Sequence, residues 1–312
     1  MKVLSTITMN RRVNDDVFSY IMSSEGDYFR QLAETAMSLI KHEKEKPIIL
    51  LSGPSGSGKT TTAFRLKGLL RDLGVKTYAL SMDNYFLTVD DPRNEREPDG
   101  SIDFESPKRL DMDLLDEHLD KLFNGEEFTL PVFDFANQRQ LKGKQFRRKE
   151  HEMVIIEGIH SLNPAVTGRV SEHAAGVYVS VRTRMKRESG ELIHPSKIRL
   201  MRRLVRDKLF RGREAAQTLE FFEKVQLGEK KYILPHKCYA EHNIDTFIAY
   251  EAAAYKNFLT EELTALRDSN YEGFEKYEDM LLILDELVGV DLTPVPSTSL
   301  VREFAGGSSF EY

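Results

Sequence analysis

The run Gly53-Pro54-Ser55-Gly56-Ser57-Gly58-Lys59-Thr60 satisfies the spacing G-x-x-x-x-G-K-[ST], and it stands between an apolar run and a helical pattern, the context that this motif requires. Its glycines let consecutive backbone N–H groups curl around phosphate oxygens at a helix N-terminus, whose partial positive charge favours anions. Lys59 is then placed to reach the β and γ phosphates of a nucleotide. The Thr60 hydroxyl is placed to bind Mg2+, an ion that takes few protein ligands besides nucleotide oxygens. Gly53, Ser55, Gly56, Ser57, Gly58, Lys59, Thr60 and Thr61 form the expected cradle for ATP and Mg2+. A chance Gly/Ser turn would not put Lys-Thr-Thr at the helix start.

Two carboxylates follow. Asp83 lies just past the strand ending at Leu80-Ser81, so it projects from the carboxyl edge of a sheet, where α/β proteins bind ligands. Phosphoryl transfer asks a protein for alignment and charge stabilisation, and a carboxylate that accepts the hydroxyl proton is a common extra part. Asp83 is the candidate base, while Asp-Asn after a strand is also ordinary turn chemistry. Glu157 closes the apolar run Met153-Val154-Ile155-Ile156 and precedes Gly158, as a Walker-B-like acid near the metal would; the alternative is a strand-end glutamate in a surface loop.

Arg199, Arg202, Arg203, Arg206, Lys208, Arg211 and Arg213 crowd into one stretch of an acidic protein. Guanidinium groups closing over a γ-phosphate would offset the charge of the transferring phosphoryl, with Gly212 as a hinge. Arg206, Arg211 and Arg213 are the lid candidates, and others in the run suit the solvated helix face that a charge run usually marks. Phe133-Asp134-Phe135, ahead of Gln138 and Arg139, offers aromatic planes beside polar groups where a flat base could stack, although aromatics in a Leu-Pro-Val-Phe run equally suit a core. His160, His194 and Cys238 have no metal-ligand spacing or nucleophile–base pattern around them and are assigned no role.

These residues need elements that bring strand ends together. Pro47-Ile48-Ile49-Leu50-Leu51, stopped by Ser52-Gly53, suits a strand buried on both faces. A helix from Lys59 to Leu73 and a strand from Lys76 to Ser81 complete a βαβ unit with a right-handed crossover. Further strands are expected over Met153–Ile156, Val177–Val181 and Ile244–Ala249, with helices near Asp111–Phe123 and Ser196–Phe210. This alternation gives an α/β fold, a parallel sheet with helices on both faces. The polar stretch Thr88–Ser106, with Pro92, Pro98 and Gly100, reads as a long loop over the strand ends that lines the acceptor site. Upstream, Asp15–Lys46 reads as two amphipathic helical pieces broken near Gly26. Downstream, Met280–Val288 is amphipathic and Thr293–Tyr312 has no clear period.

Composition narrows the function classes. At 312 residues, 40% hydrophobic and 30% charged, the chain buries a sizeable core. A net charge of -6 argues against a general nucleic-acid coat, which needs a broad surplus of Lys and Arg. Cys238 is the single cysteine, so reducing conditions and the cytoplasm are expected, and no run of about 18 apolar residues marks a membrane span.

Taken together, Gly53–Thr61, Ser81-Met82-Asp83-Asn84-Tyr85-Phe86, Leu130–Phe135, Ile156-Glu157-Gly158 and Arg202–Arg213 resemble the uridine kinase branch of the phosphoribulokinase/uridine kinase family, in the family's order and over about Pro47–Ala249. The resemblance implies a nucleoside-monophosphate-kinase-like P-loop fold with a basic lid, and transfer of the γ-phosphate of ATP to a nucleoside 5′-hydroxyl. Asp83 takes the position of the catalytic aspartate, with Tyr85 beside it in the acceptor segment. By the same matching, Arg203 is a ribose-contacting arginine, Arg206, Arg211 and Arg213 are phosphate-binding lid residues, and Phe135 lies beside the base. The sequence departs from the family's pattern where Glu105, with Asp103 nearby, replaces an aspartate that holds ribose hydroxyls. It departs again where Phe133 replaces a tyrosine and Gln138 a histidine that reads the pyrimidine edge. The ending Ser299–Phe304 resembles a longer bacterial subgroup.

The expected division is an N-terminal helical extension over 1–46, a P-loop kinase domain over 47–268, and a C-terminal helix and tail over 269–312. The expected partner is a small-molecule acceptor, with neither nucleic acid nor membrane, and a homo-oligomer is left open. Two other functions use the same core: a kinase of another small alcohol, such as a sugar phosphate or pantothenate-like acceptor, and a non-catalytic nucleotide-dependent switch. The sequence holds no Asn-Lys-x-Asp guanine motif, which weighs against a GTPase.

Overall fold

A computed structural model describes residues 2–96 and 100–311. Pro98 of the expected loop, and the terminal Met1 and Tyr312, lie outside them. The first strand, β1 (Val3–Ser5), leads into the long helix α1 (Thr6–Leu39). Then come β2 (Ile48–Ser52), α2 (Lys59–Asp72), β3 (Thr77–Ser81), α3 (Met112–Asn124) and an antiparallel hairpin, β4 (Phe128–Asp134) and β5 (Arg139–Phe146). After β6 (Met153–Glu157), the short α4 (Pro164–Thr167) and β7 (Ala174–Ser180), two small strands, β8 (Arg184–Lys186) and β9 (Leu192–Ile193), join β1 in a small sheet of order β1-β8-β9. The basic stretch forms α5 (Pro195–Arg211) and is followed by α6 (Ala215–Gly228), β10 (His242–Asp245), α7 (Glu251–Asp268), α8 (Glu278–Glu286) and α9 (Leu300–Ala305).

Five strands form one parallel sheet in the order β10-β7-β2-β6-β3. Every residue of β2 and β6 is buried, as a parallel sheet covered on both faces requires. Successive side chains of a strand point to opposite faces. Accordingly Ile49, Leu51, Ile155 and Val177 enter one core with residues of α1, α2, α5, α7, α8 and α9, while Ile48, Leu50, Val154 and Ile156 enter another with α3, β4 and β5. The chain therefore has the expected α/β architecture.

Two expectations about elements are corrected. Helix α1 runs through Gly26 and breaks instead at Asp16, whose extended backbone (φ -165°, ψ 98°) lets its carboxylate accept from Ser19 N and Oγ at 3.1 and 2.6 Å. A glycine inside a helix costs only about 1 kcal/mol, and Ile21, Tyr28 and Leu32 on either side of Gly26 are buried. The last strand ends at Asp245 rather than Ala249, because the Asp245 carboxylate accepts from the backbone N–H of Arg182, Thr183 and Phe247 and turns the chain. The aromatic segment around Phe133 is one arm of the β4–β5 hairpin, with Gln138 at φ +52° in its turn.

The N-terminal helix and the C-terminal segment both reach the first turns of α2. Tyr28 and Thr62 share a hydroxyl–hydroxyl bond of 2.7 Å, and Glu25 accepts from Tyr250 and Ser299. Deeper in, Arg202 and Glu251 form an ion pair with both side chains fully buried, and Arg202 Nη1 also donates to Gly56 O at 3.0 Å. Burial pushes the Glu251 carboxyl up while Arg202 pulls it down, so the pair adds little net stability as a unit. Removing one member differs, because it strands a buried charge. Glu251→Gln is expected to destabilise the fold by about 3 kcal/mol, read as a lower urea midpoint at unchanged slope.

Candidate active site

Strand register assembles the site. Glu157 pairs with Leu51 on one side and with Ser81 on the other, so the end of β6 lies between the entrance to the glycine loop and the turn that carries Asp83. In the loop, a Cβ at Gly53 would sit 2.1 Å from the Val179 carbonyl oxygen, so only glycine allows the neighbouring strand this close. Gly58 caps α2 in the left-handed region (φ +82°), and a Cβ there would meet Leu300 Cδ1 at 2.4 Å. Ser57 N donates to Pro54 O at 3.1 Å, and Lys59 Nζ curls back to Pro54 O at 3.3 Å. The arginines at the start of α5 brace the loop: Arg199 donates to Ser55 O, Arg202 to Gly56 O and Arg203 to Ser55 Oγ, at 3.0 to 3.1 Å. Arg199 also pairs with the buried Glu229.

Asp83 sits on a single 3-10 turn, Met82–Tyr85, which Ser81 Oγ caps by accepting from Asp83 N at 3.4 Å. It keeps some accessible surface, yet the protein encloses it deeply enough that burial pushes its carboxyl up, against the pull of Lys59 and Arg211. Glu157 is pushed up to about 7 by burial and by the charge of Asp83, against the pull of Lys59. The charge of Asp83 that raises Glu157 would be relieved by a cation, and with the Thr60 hydroxyl at the head of α2 the two carboxylates offer the hard oxygen donors that suit Mg2+. Tyr85, by contrast, points into the core, where its hydroxyl bonds His118 Nδ1 at 3.0 Å and Leu115, Leu119 and Phe128 surround it.

Around the Asp83 turn, Asn84 Oδ1 accepts from Phe133 N at 3.0 Å and ties the hairpin in place. Phe86, Phe133 and Phe135 meet edge to face, with ring centroids 5.1 to 6.5 Å apart; Phe133 is buried and Phe135 exposed. Gln138 spends its side-chain N–H on Phe135 O at 2.7 Å. Asp103 accepts from Tyr232 Oη at 2.8 Å and from Glu105 N at 3.0 Å. Burial raises Glu105 to about 7, against the pull of Arg203. A separate cavity of about 640 Å³, lined by Lys2, Asp27, Arg30, Gln31, Arg182 and Asp245, contains none of these residues.

Sequence reasoning missed two charged side chains here. Asp207 is fully buried at the centre of the lid, with Arg203, Arg206, Arg211 and Arg213 all within 3.2 to 3.5 Å of its carboxylate. Its signal was present, an acid embedded in the run Arg202-Arg203-Leu204-Val205-Arg206-Asp207, although such an acid usually marks a mixed surface face. Glu303 of α9 accepts from Thr61 N and Oγ1 at 3.3 and 2.5 Å, in the first turn of α2. Nothing local in the sequence announces it. Glu303→Gln keeps an acceptor for Thr61 and removes a negative charge from the phosphate end of α2. Nucleotide binding should tighten about fivefold by calorimetry, from about 1 kcal/mol of relieved repulsion after screening; an unchanged affinity would refute this.

The model of the phosphoribulokinase / uridine kinase family matches residues 48–251. A uridine kinase of Borreliella burgdorferi (strain ZS7) is 30% identical over 197 residues, covering 62% of this chain and 84% of that protein. A uridine kinase of Halobacterium salinarum is 24% identical over 193 residues, covering 61% and 76%. Among solved structures, one described as a possible uridine kinase from Bacillus stearothermophilus aligns with a TM-score of 0.44 at 17% identity, covering 70% of this chain and 98% of that one.

Proposed function

The chain belongs to the phosphoribulokinase/uridine kinase family, in its uridine kinase branch, and from that premise we propose that this small-molecule kinase transfers the γ-phosphate of ATP to the 5′-hydroxyl of a nucleoside. One observation carries the proposal: Asp83 lies within electrostatic reach of both Lys59 and Arg211, where an acceptor hydroxyl would meet the end of a triphosphate. Mg2+, held by Thr60 and Glu157 together with nucleotide oxygens, would supply charge neutralisation at the β and γ phosphates.

The loop amides and Lys59 hold and align the triphosphate. Asp83 takes the proton from the acceptor hydroxyl, and the same carboxylate fixes the direction of attack. Arg206, Arg211 and Arg213 are held by Asp207 as a preformed group of donors, so little reorganisation is needed as charge spreads over the transferring phosphoryl. The aromatic group Phe86, Phe133 and Phe135 supports a flat base beside the Asp83 turn. Phe133 has no hydroxyl and Gln138 donates into its own turn, so base-edge hydrogen bonding is sparse and favours tolerance of more than one base.

The test is ATP consumption with Mg2+ against ribo- and deoxyribonucleosides, with sugar phosphates and pantothenate as controls and products identified by mass. Nucleoside monophosphate formation is the expected result. Turnover only with a sugar phosphate or pantothenate would move the chain to another alcohol acceptor.

A further inference from the structure

Helix α1 carries apolar side chains on two faces. One face, with Ile21, Tyr28, Leu32 and Leu39, is buried in the core. Beside it runs a second stripe, Phe18, Met22, Gly26, Phe29, Ala33 and Met37. Its four large side chains are 45 to 58% exposed, and a Cβ at Gly26 would meet open space, with no atom within 4 Å. A surface helix needs only one apolar face to hold it to its own core. A second, contiguous and exposed, marks a surface made for contact.

The steps along the stripe are four, four, three, four and four residues, which keep it on one side of the helix and read the same in either direction. We propose that this stripe joins two copies of the chain, paired antiparallel along α1 about a two-fold axis that passes between Gly26 and Phe29. A two-fold interface uses one patch twice, so the patch must complement itself.

Size and charge both meet that demand. About this axis Phe29 of one copy faces Gly26 of the other, Met22 faces Ala33 and Phe18 faces Met37, so large side chains fill the places that small ones leave. On the solvent flank, Asp27 and Arg30 are exposed and pair with one another at 3.2 Å within one helix. They straddle the axis, so Asp27 of each copy comes beside Arg30 of the other, and Glu34 falls opposite Ser23. Parallel pairing would instead set Asp27, Arg30 and Glu34 each against its own like charge, and would stack Phe29 on Phe29 while leaving the Gly26 slot unfilled. Charge complementarity therefore selects the antiparallel arrangement.

The straight part of α1, residues 17–39, is about 35 Å long, and one helix pair of that length lies at the low end of specific interfaces, where micromolar affinity is expected. The core side of the same stretch holds Glu25 and Tyr28, which bond Arg65 at 3.2 Å and Thr62 at 2.7 Å in α2. Pairing fastens the helix that buttresses the first turns of α2, so the Tm should rise with protein concentration.

The test is sedimentation velocity of the full chain from about 1 to about 100 μM. The wild type should show a reversible monomer–dimer equilibrium with a Kd of about 10 μM. Phe29→Asp, with its fold checked by circular dichroism, should stay monomeric throughout. Gly26→Leu is the sharper variant: within one copy its side chain enters open space and removes a helical glycine, so the Tm at low concentration should rise by a few degrees. Yet it blocks the slot for Phe29 of the second copy and should weaken the dimer about 10-fold or more, whereas added apolar surface would strengthen unspecific association. Asp27→Arg and Arg30→Asp should each weaken the dimer about fivefold, and the two together in one chain should restore it. A wild type that stays monomeric at about 100 μM would overturn the proposal, and capture of that monomer by phosphatidylglycerol/phosphatidylcholine vesicles would give the face to a membrane. A dimer indifferent to Phe29→Asp, one strengthened by Gly26→Leu, or one that the paired charge swap does not restore would equally refute it.

Discussion

Asp83→Asn is expected to lower kcat by about 10³-fold while changing the KM for ATP by less than about threefold, because it removes a proton acceptor without altering the shape of the turn. The turn itself should survive, since Ser81 Oγ caps it through the backbone of Asp83 and Asn84 anchors the hairpin with its own side chain. A rate within about threefold of wild type would remove Asp83 from the chemistry and return it to turn duty. The wild-type pH profile gives a second handle. Burial raises both Asp83 and Glu157, the latter to about 7, and the charge of Asp83 further disfavours ionisation of Glu157. A base works when deprotonated, so kcat/KM should climb with pH along an acid limb displaced above the ordinary carboxylate range, whose apparent pKa belongs to the pair. Stability runs the other way: from the unfolded value near 4.5 up to about 7 the folded protein holds a proton that the unfolded chain has released, so stability falls as pH rises through that window. Glu157→Gln should flatten that slope, which denaturation midpoints between pH 5 and pH 8 would reveal.

The parts of the site that were legible in the sequence are those whose chemistry demands contiguous residues or a fixed place at a strand end. The glycine loop is one peptide segment by necessity, and Asp83 and Glu157 could be placed because parallel strands in a βαβ sheet deliver their carboxyl ends to one edge. What was hidden depends on partners that only folding brings together. Glu303 lies 242 residues from Thr61, so no local spacing links them. Tyr85 looked like part of the acceptor segment, and its neighbours in sequence did not disclose that His118, 33 residues on, would draw its hydroxyl into the core. His160 was passed over for lacking a pattern around it, yet folding buries its ring, with the Tyr232 ring 6.2 Å away. The helix break failed for a related reason: composition marks Gly26 as weak, but the Asp16 carboxylate, by capping Ser19, decides where the helix bends.

Asp207→Asn should cost about 3 kcal/mol of stability, a drop in Tm of about 6 °C or more, together with a fall in kcat of about 10²-fold. Four guanidinium groups meet one carboxylate in this lid, Arg203, Arg206, Arg211 and Arg213 against Asp207. Arg211 already shows the strain of the arrangement: burial and the charge of Arg206 pull it down to about 10, and Asp207 opposes them. The backbone fastening would persist in the variant, because Arg213 N and the Gly212 cap both donate to the Asp207 carbonyl rather than to its carboxylate. The lid would therefore keep its path while its arginines repel one another and lose their common aim. That separates electrostatic preorganisation from simple unfolding, and sulfate distinguishes them. An anion seated among four guanidiniums replaces the missing charge, so added sulfate should raise the Tm of Asp207→Asn by several degrees more than that of wild type, with sodium chloride at equal ionic strength as the control. Equal responses to the two salts would mean that Asp207 does not hold the lid as a charge. A selective sulfate response would show that the cluster awaits a phosphate-like anion and that Asp207 keeps it in shape until one arrives.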